Sequence, residues 1–362
     1  MSEGPTSREL TLSFSVGLAK SEAFPLLLRE LTDGLHRLGI EAQLVAGGAV
    51  VHRGSSIGSV TEREDGGSVR LTWQSAPWSD SAPLEIALQC SGEGTGSRIT
   101  LEVQGCERPI GDGGPELLGW LATSFLAPAL HSLAPSTFGD WLTDRRARRP
   151  AGPWSEETYR DPKFHWPNFL LILDRLPLGR EDRLLEVGCG GGAFLRRALE
   201  SGCSAVAIDH SPEMVRTARS LNRTAVEGGR ADIREGEADR LPVPDEEFSC
   251  VVSTGAFGFF PDPEAVLREM HRALRPGGRL AIFSATSALR GTPACPEPMA
   301  SRTHFYDDEE LREMAARAGF ASVEVEQPTL RRYAEEAGIP PEAMALFEGG
   351  GGAQLLLARR PS

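Results

Sequence analysis

The chain has 362 residues, 40% of them hydrophobic and 25% charged, with a formal net charge of −13. That length holds two ordinary domains. The acidic balance excludes a general nucleic-acid binder, which needs a basic face. No apolar run reaches the length of a membrane span, and MSEGPTSREL lacks the charged-then-apolar layout of a signal peptide. The expectation is therefore a cytoplasmic protein with neither a membrane nor a nucleic-acid partner.

In chain order, LTLSFSV (10–16) alternates as a strand, and SEAFPLLLRELTDGLHRLG (21–39) carries apolar residues at helical spacing, with Gly39 as a stop. AVVHRGSSIGSVTERE, SVRLTWQSA, LEIALQC and SRITLEVQG read as strand-like runs. The turns EDGG (64–67) and SGEGTG (91–96) suit hairpins. Residues 115–146 are apolar-periodic, broken or bent at Pro128 and Pro135. A sheet closed by a long helix is an α+β arrangement. "GSVTEREDGGSVRLTW", then "LEIALQCSGEGTGSRITLEVQG" and the final helix, resemble the START-like helix-grip superfamily (SRPBCC), nearest to homologues of the activator of heat-shock-protein ATPase. The resemblance covers most of 10–145 and implies a cavity between sheet and helix, or simply a packed core. The domain is placed at 1–146.

Residues 147–158 are assigned as a linker within the Arg-, Pro- and Gly-rich stretch RRARRPAGPWSEET. Arg145, Arg146, Arg148 and Arg149 read as the solvated end of a helix rather than a phosphate patch. Residues 159–362 form the second domain. Strand and helix patterns alternate there: RLLEV, a helix at 192–201, SAVAID, a helix at 212–221, a strand near 231–235, FSCVVST, a helix at 263–275 and RLAIFSA. That rhythm predicts an α/β fold with a doubly wound parallel sheet. The six cysteines (Cys90, Cys106, Cys189, Cys203, Cys250, Cys295) form no CxxC pair, so reduced thiols and no metal site are expected.

The stretch LLEVGCGGGAFLRRALE (184–200) contains Gly188-x-Gly190-x-x-Ala193, a loose dinucleotide pattern, and Glu186-x-Gly188-x-Gly190-x-Gly192. Asp209 closes the next strand, where a carboxylate can accept from two ribose hydroxyls. These local signals leave a dinucleotide and S-adenosylmethionine (SAM) tied.

Residues downstream separate them. "GEADRLPVPDEEFSCVV" (236–252), "LREMHRALRPGGRLAIF" (267–283), "HFYDDEELREMAARAGFASVEVE" (304–326) and "GAQLLLARR" resemble, in order and spacing, the class I SAM-dependent methyltransferases over roughly 160–360. The resemblance implies a seven-stranded Rossmann-like sheet and SAM as cofactor. It implies a cofactor site of Glu186, Gly188, Cys189, Gly190, Gly192, Asp209, His210, Met214, Glu237, Ala238 and Ser253. Glu237 would accept from the adenine amino group and the Ala238 N–H would meet a ring nitrogen. Glu186 would help place the amino-acid end; otherwise it is a buried acid satisfied by backbone N–H groups. Met214 packs on the adenine or within its helix. Cys189 is a small filler.

Residues 158–176 and the insertion 284–306 would cover the substrate, with 329–350 as a lid. Tyr159, His165 and Trp166 are candidates to close over SAM. Candidate bases are His165, His304, Tyr159 and Tyr306, needed only where the nucleophile must lose a proton. Gly258-Phe259-Phe260 stands where many small-molecule methyltransferases have a His pair, and its rings accept no proton. The leading expectation is a methyltransferase acting on a small-molecule acceptor, with the first domain binding substrate or a protein partner, or forming a homodimer. The alternative is a START-like or co-chaperone binding module with a SAM-sensing or scaffold domain. A NAD-dependent oxidoreductase ranks third.

Overall fold

The computed structural model describes residues 10–37, 39–52, 54–74, 83–104, 140, 143–150, 158–292, 295, 299–348 and 352–362. The chain folds as two compact units, 1–142 and 143–362.

In the first unit, β1 (Leu10–Val16) leads into α1 (Lys20–Arg37), followed by β2 (Ile40–Ala42), β3 (Ala49–His52), β4 (Ser55–Glu64), β5 (Ser68–Trp73), β6 (Leu84–Glu93) and β7 (Gly96–Gln104). They form one antiparallel sheet in the order β1-β7-β6-β5-β4-β3-β2. Helix α1 buries Ala23, Phe24, Leu27, Leu28, Leu31 and Leu35, a three-and-four spacing that gives one apolar stripe. The sheet meets it with alternate residues: Val69, Leu71 and Trp73; Ile86, Leu88 and Cys90; Ile99, Leu101 and Val103. The run AVVHRGSSIGSVTERE is two strands, because the chain turns back at Gly54. Both expected hairpins form, β4 with β5 and β6 with β7. The closing helix expected at 115–146 lies almost wholly outside the described residues.

The second unit contains α2 (Trp166–Arg175), β8 (Arg183–Val187), α3 (Ala193–Ala198), β9 (Ser204–Asp209), α4 (Pro212–Leu221), α5 (Arg223–Glu227), β10 (Ala231–Glu235) and β11 (Phe248–Thr254). Then come α6 (Pro263–Ala273), β12 (Leu274–Ala285), α7 (Asp308–Arg317), β13 (Ala321–Glu326), α8 (Arg331–Glu336), α9 (Ala345–Glu348) and β14 (Ala353–Arg359). The seven strands run β10-β9-β8-β11-β12-β14-β13, and β14 is antiparallel to both neighbours. Helices cover both faces. Leu184, Ala205, Ala207 and Val252 pack against α2, α3 and α4. Leu185, Val187, Val206, Ile208 and Val251 pack against α6 and α7.

The chain steps outward from β8 to β9 and β10, then restarts at β11 on the other side of β8. That reversal opens a crevice beyond the carboxyl ends of β8 and β11, the usual ligand position in a doubly wound sheet. Residues 144–150, read from sequence as the end of a helix and the start of a solvated linker, are instead seated on this unit: Asp144–Arg148 forms a π-type turn, and Thr143 and Pro150 are buried. No helix among the described residues is long and apolar enough to cross a membrane.

Candidate functional site

Three strand ends meet at the crevice. Beyond β8 the chain turns through Gly188–Gly192 into α3. The Gly188 and Cys189 N–H groups both donate to the Ile208 carbonyl, at 2.8 and 3.1 Å, so the turn stays against β9. Gly190 has φ +50° and Gly192 φ +80°, where a Cβ is strained. A Cβ on Gly190 would also come within 3.0 Å of the Tyr159 ring. One on Gly192 would meet Asn222 Nδ2 at 2.7 Å and Ala218 Cβ at 2.8 Å. The glycines thus serve two ends: Gly192 lets α3 pack on α4, and Gly190 lets Tyr159 lie on the turn. On the opposite side, the space beside Gly188 is filled by Ala256, with Phe260 behind it.

Asp209, at the end of β9 and 8% exposed, accepts from the Gly190 N–H at 2.8 Å and the Ser211 N–H at 2.9 Å. Burial raises its pKa, and those two backbone bonds and His210 oppose the rise. Glu186 is 1% exposed, and neither carboxylate oxygen has a hydrogen-bond partner among the described residues. Desolvation, then the charge of Asp209, pushes its carboxyl well above the ordinary range. The expectation of a backbone-satisfied acid is corrected here: the Gly188 and Cys189 N–H groups go to Ile208, the Gly190 N–H to Asp209 and the Gly192 N–H to the Cys189 carbonyl. Ser253 Oγ, fully buried on β11, also lacks a partner among the described residues.

Glu237, exposed, follows Gly236, whose N–H donates to the Asp209 carbonyl at 3.1 Å. Ala238 is partly buried beside it. His210 Nδ1 lies 3.6 Å from Glu237 Oε2. Glu186, the glycine turn, Asp209, His210 and Glu237 are therefore brought together. Met214 is fully buried in α4, a helix contact. Burial raises the Cys189 thiol far above its ordinary value, and Asp209 and Glu186 add to this, so it is no nucleophile.

Of the cover residues, Tyr159 lies on the glycine turn. Trp166 packs edge-on against Phe169 in the core, and its Nε1 donates to Asp161 Oδ1 at 2.8 Å. His165 is exposed. His304 and Tyr306 sit on the β11 side: the His304 N–H donates to the Gly258 carbonyl at 2.8 Å, and its ring stacks on Tyr306 at 6.2 Å. Tyr306 packs on Phe257 at 5.5 Å, and burial, aided by Glu310, raises its phenol. Of the four candidate bases, His304 and Tyr306 are in ring contact with each other. Of residues 329–350, expected as a lid, 330–348 form a small helical knot around Ala334, Ile339 and Phe347, tied to α2 by Tyr333 Oη donating to Asp174 at 2.6 Å.

Sequence reasoning missed Asn222, whose Nδ2 donates to the Gly192 and Ala218 carbonyls at 3.0 and 2.9 Å. It also missed Ser211, which caps α4 and fixes Asp209. The Ser-Pro-Glu pattern at 211–213 was a readable cap signal, whereas a lone Asn offered none.

Residues 185–282 match the family model described as a methyltransferase domain. The match lies within the second unit and runs from β8 into β12. Over 169 residues the chain is 32% identical to the 27-O-demethylrifamycin SV methyltransferase of Amycolatopsis mediterranei, covering 46% of this chain and 57% of that protein. It is 34% identical over 109 residues to an uncharacterised protein of Mycobacterium tuberculosis, covering 30% of this chain and 39% of the relative. The chain thus spans about half the length of the curated relatives it matches. A solved SAM-dependent methyltransferase from Mesorhizobium loti is 23% identical with a TM-score of 0.42, covering 54% of this chain and 97% of that one.

Proposed function

We propose that this chain is a SAM-dependent methyltransferase that transfers a methyl group to a small-molecule nucleophile. The observation that carries the reading is Glu186: a buried, unpartnered carboxylate beside a second one, Asp209. Two acids in one cleft disfavour a pyrophosphate and favour a cation. SAM is phosphate-free, carries a sulfonium and an ammonium, and supplies the transferable methyl at its sulfur. Glu186 and the glycine turn would hold its amino-acid end, Asp209 the ribose hydroxyls, Glu237 and Ala238 the adenine edge, and the β11 end with Ser253 the middle. Met214 supports this wall from the core.

The residues' main task is positioning, since an in-line displacement needs the nucleophile about 3 Å from the methyl carbon. Tyr159 excludes water over the turn. His304 is the proposed proton acceptor: its loop is bonded to Gly258, whose neighbour Phe260 reaches the Gly188 turn, and its ring is exposed. Tyr306, its phenol raised by burial, serves as a platform for that ring. His165 is assigned to the outer rim. The rifamycin relative supports a small-molecule acceptor. The first unit, with its antiparallel sheet gripping α1, is proposed as a START-like helix-grip domain that binds substrate or a partner, or pairs two chains. Titration calorimetry of the full chain with SAM and with NAD tests the reading. Heat with SAM alone supports it; heat with NAD alone overturns it.

A further inference from the structure

The turn after β9 is held by chain that lies outside residues 185–282. Arg148 closes the π-type turn by pairing with Asp144 at 2.8 Å, leaving its carbonyl to accept from His210 Nε2. Two residues on, the Pro150 carbonyl accepts from Ser211 Oγ at 3.0 Å. Consecutive residues directly after Asp209 are thus pinned to one strap. A carbonyl only accepts, so the Arg148 contact places a proton on Nε2 and fixes the orientation of the ring. Nδ1 then faces Glu237 Oε2 at 3.6 Å, an attraction that exists only when Nδ1 carries a proton as well, as in the imidazolium. The Glu237 side chain is 63% exposed, and His210 is the charged or polar partner the structure gives it.

We infer that the 143–150 strap is part of the cofactor site and that His210 is a positioning residue. The strap orients the ring, and the ring, as imidazolium with Nδ1 donating, orients Glu237 toward the amino group of a bound adenine. This rests on the proposed role of Glu237. A leucine at 210 gives up both contacts, and Glu237 is then free to turn to water. The effect is specific to a base that carries an amino donor.

The test uses the full chain and two stable ligands, S-adenosylhomocysteine and S-inosylhomocysteine, the second lacking the amino group. Calorimetry compares wild type, His210→Leu, Glu237→Gln and the double variant. The expected result is a roughly tenfold loss of adenosyl affinity in each single variant, about what one charge-assisted hydrogen bond carries. The double variant loses little more, because one residue acts through the other. Inosyl affinity moves less than about threefold throughout, which also reports an intact site. Additive losses, equal losses for both ligands, or no loss in His210→Leu overturns the inference. Failure of the underlying reading looks different: wild type binds neither ligand, or Glu237→Gln alone leaves adenosyl affinity unchanged.

Discussion

Glu186 is costly to the protein without ligand. Its carboxyl is raised by desolvation and by Asp209, so the folded chain binds a proton there that the unfolded chain releases in the ordinary carboxylate range. Unfolding then sheds protons, and stability falls as pH rises from that range through the raised folded value. Glu186→Gln abolishes this stretch of the slope. At neutral pH it stabilises the unliganded protein by about 1 kcal/mol, because the amide has no charge to desolvate although it stays a buried, unpaired polar group, or a few degrees in melting temperature. The same variant binds SAM more weakly, because the cationic ligand loses its counter-charge. Melting curves of wild type and variant at several pH values decide the point. A variant that melts lower than wild type at neutral pH would mean that Glu186 has a partner stabilising its charge.

At the scale of elements, the glycine turn and the loop after β12 are the proposed cofactor and acceptor walls of the crevice. Gly192→Ala meets both a positive φ and atoms at 2.7–2.8 Å, whereas Gly229, at φ +70°, has open space where a Cβ would stand. Alanine at 229 is expected to cost about 1 kcal/mol, the strain alone. Alanine at 192 should cost roughly 2–4 kcal/mol, since α3 and α4 must part as well. Chemical denaturation of the two variants separates the contributions, and equal costs would dismiss the close-packing account. The other wall depends on Asp307, whose side chain accepts from the Glu309 and Glu310 N–H groups while Glu310 returns a bond to the Asp307 N–H. Asp307→Ala removes this capping box for about 1 kcal/mol. Because Tyr306 directly precedes it and the His304 ring stacks on Tyr306, we expect KM for the acceptor to rise with KM for SAM unchanged. Steady-state kinetics with each substrate varied checks this, and a rise for SAM alone would remove the loop from the acceptor side.

At the scale of the whole molecule, the alternation of RLLEV, SAVAID and FSCVVST was readable because strands covered on both faces are continuous apolar runs. Asp209 was readable because it ends such a run. The partners of Glu186 were not, since hydrogen-bond bookkeeping depends on which N–H groups neighbouring strands have already used. The strap at 143–150 was not either: an Arg-rich stretch looks solvated, and what seats it are its carbonyls, which every residue has. Most of the proposed cofactor residues lie in three segments of the second unit. Ligand binding stabilises the native state by RT ln(1 + [L]/Kd), about 2.7 kcal/mol at a hundredfold excess over Kd. Under SAM, amide hydrogen exchange should slow at 184–192, 207–211 and 236–238, whose N–H groups lie in or beside the crevice. The Arg149 amide, which donates to the Asp144 carbonyl at 2.7 Å, should slow with them if the strap belongs to the site. Amides of the first sheet, 10–104, should keep their rates. Slowing confined to that first sheet would move the ligand site to the other unit and undo the assignment of all three segments.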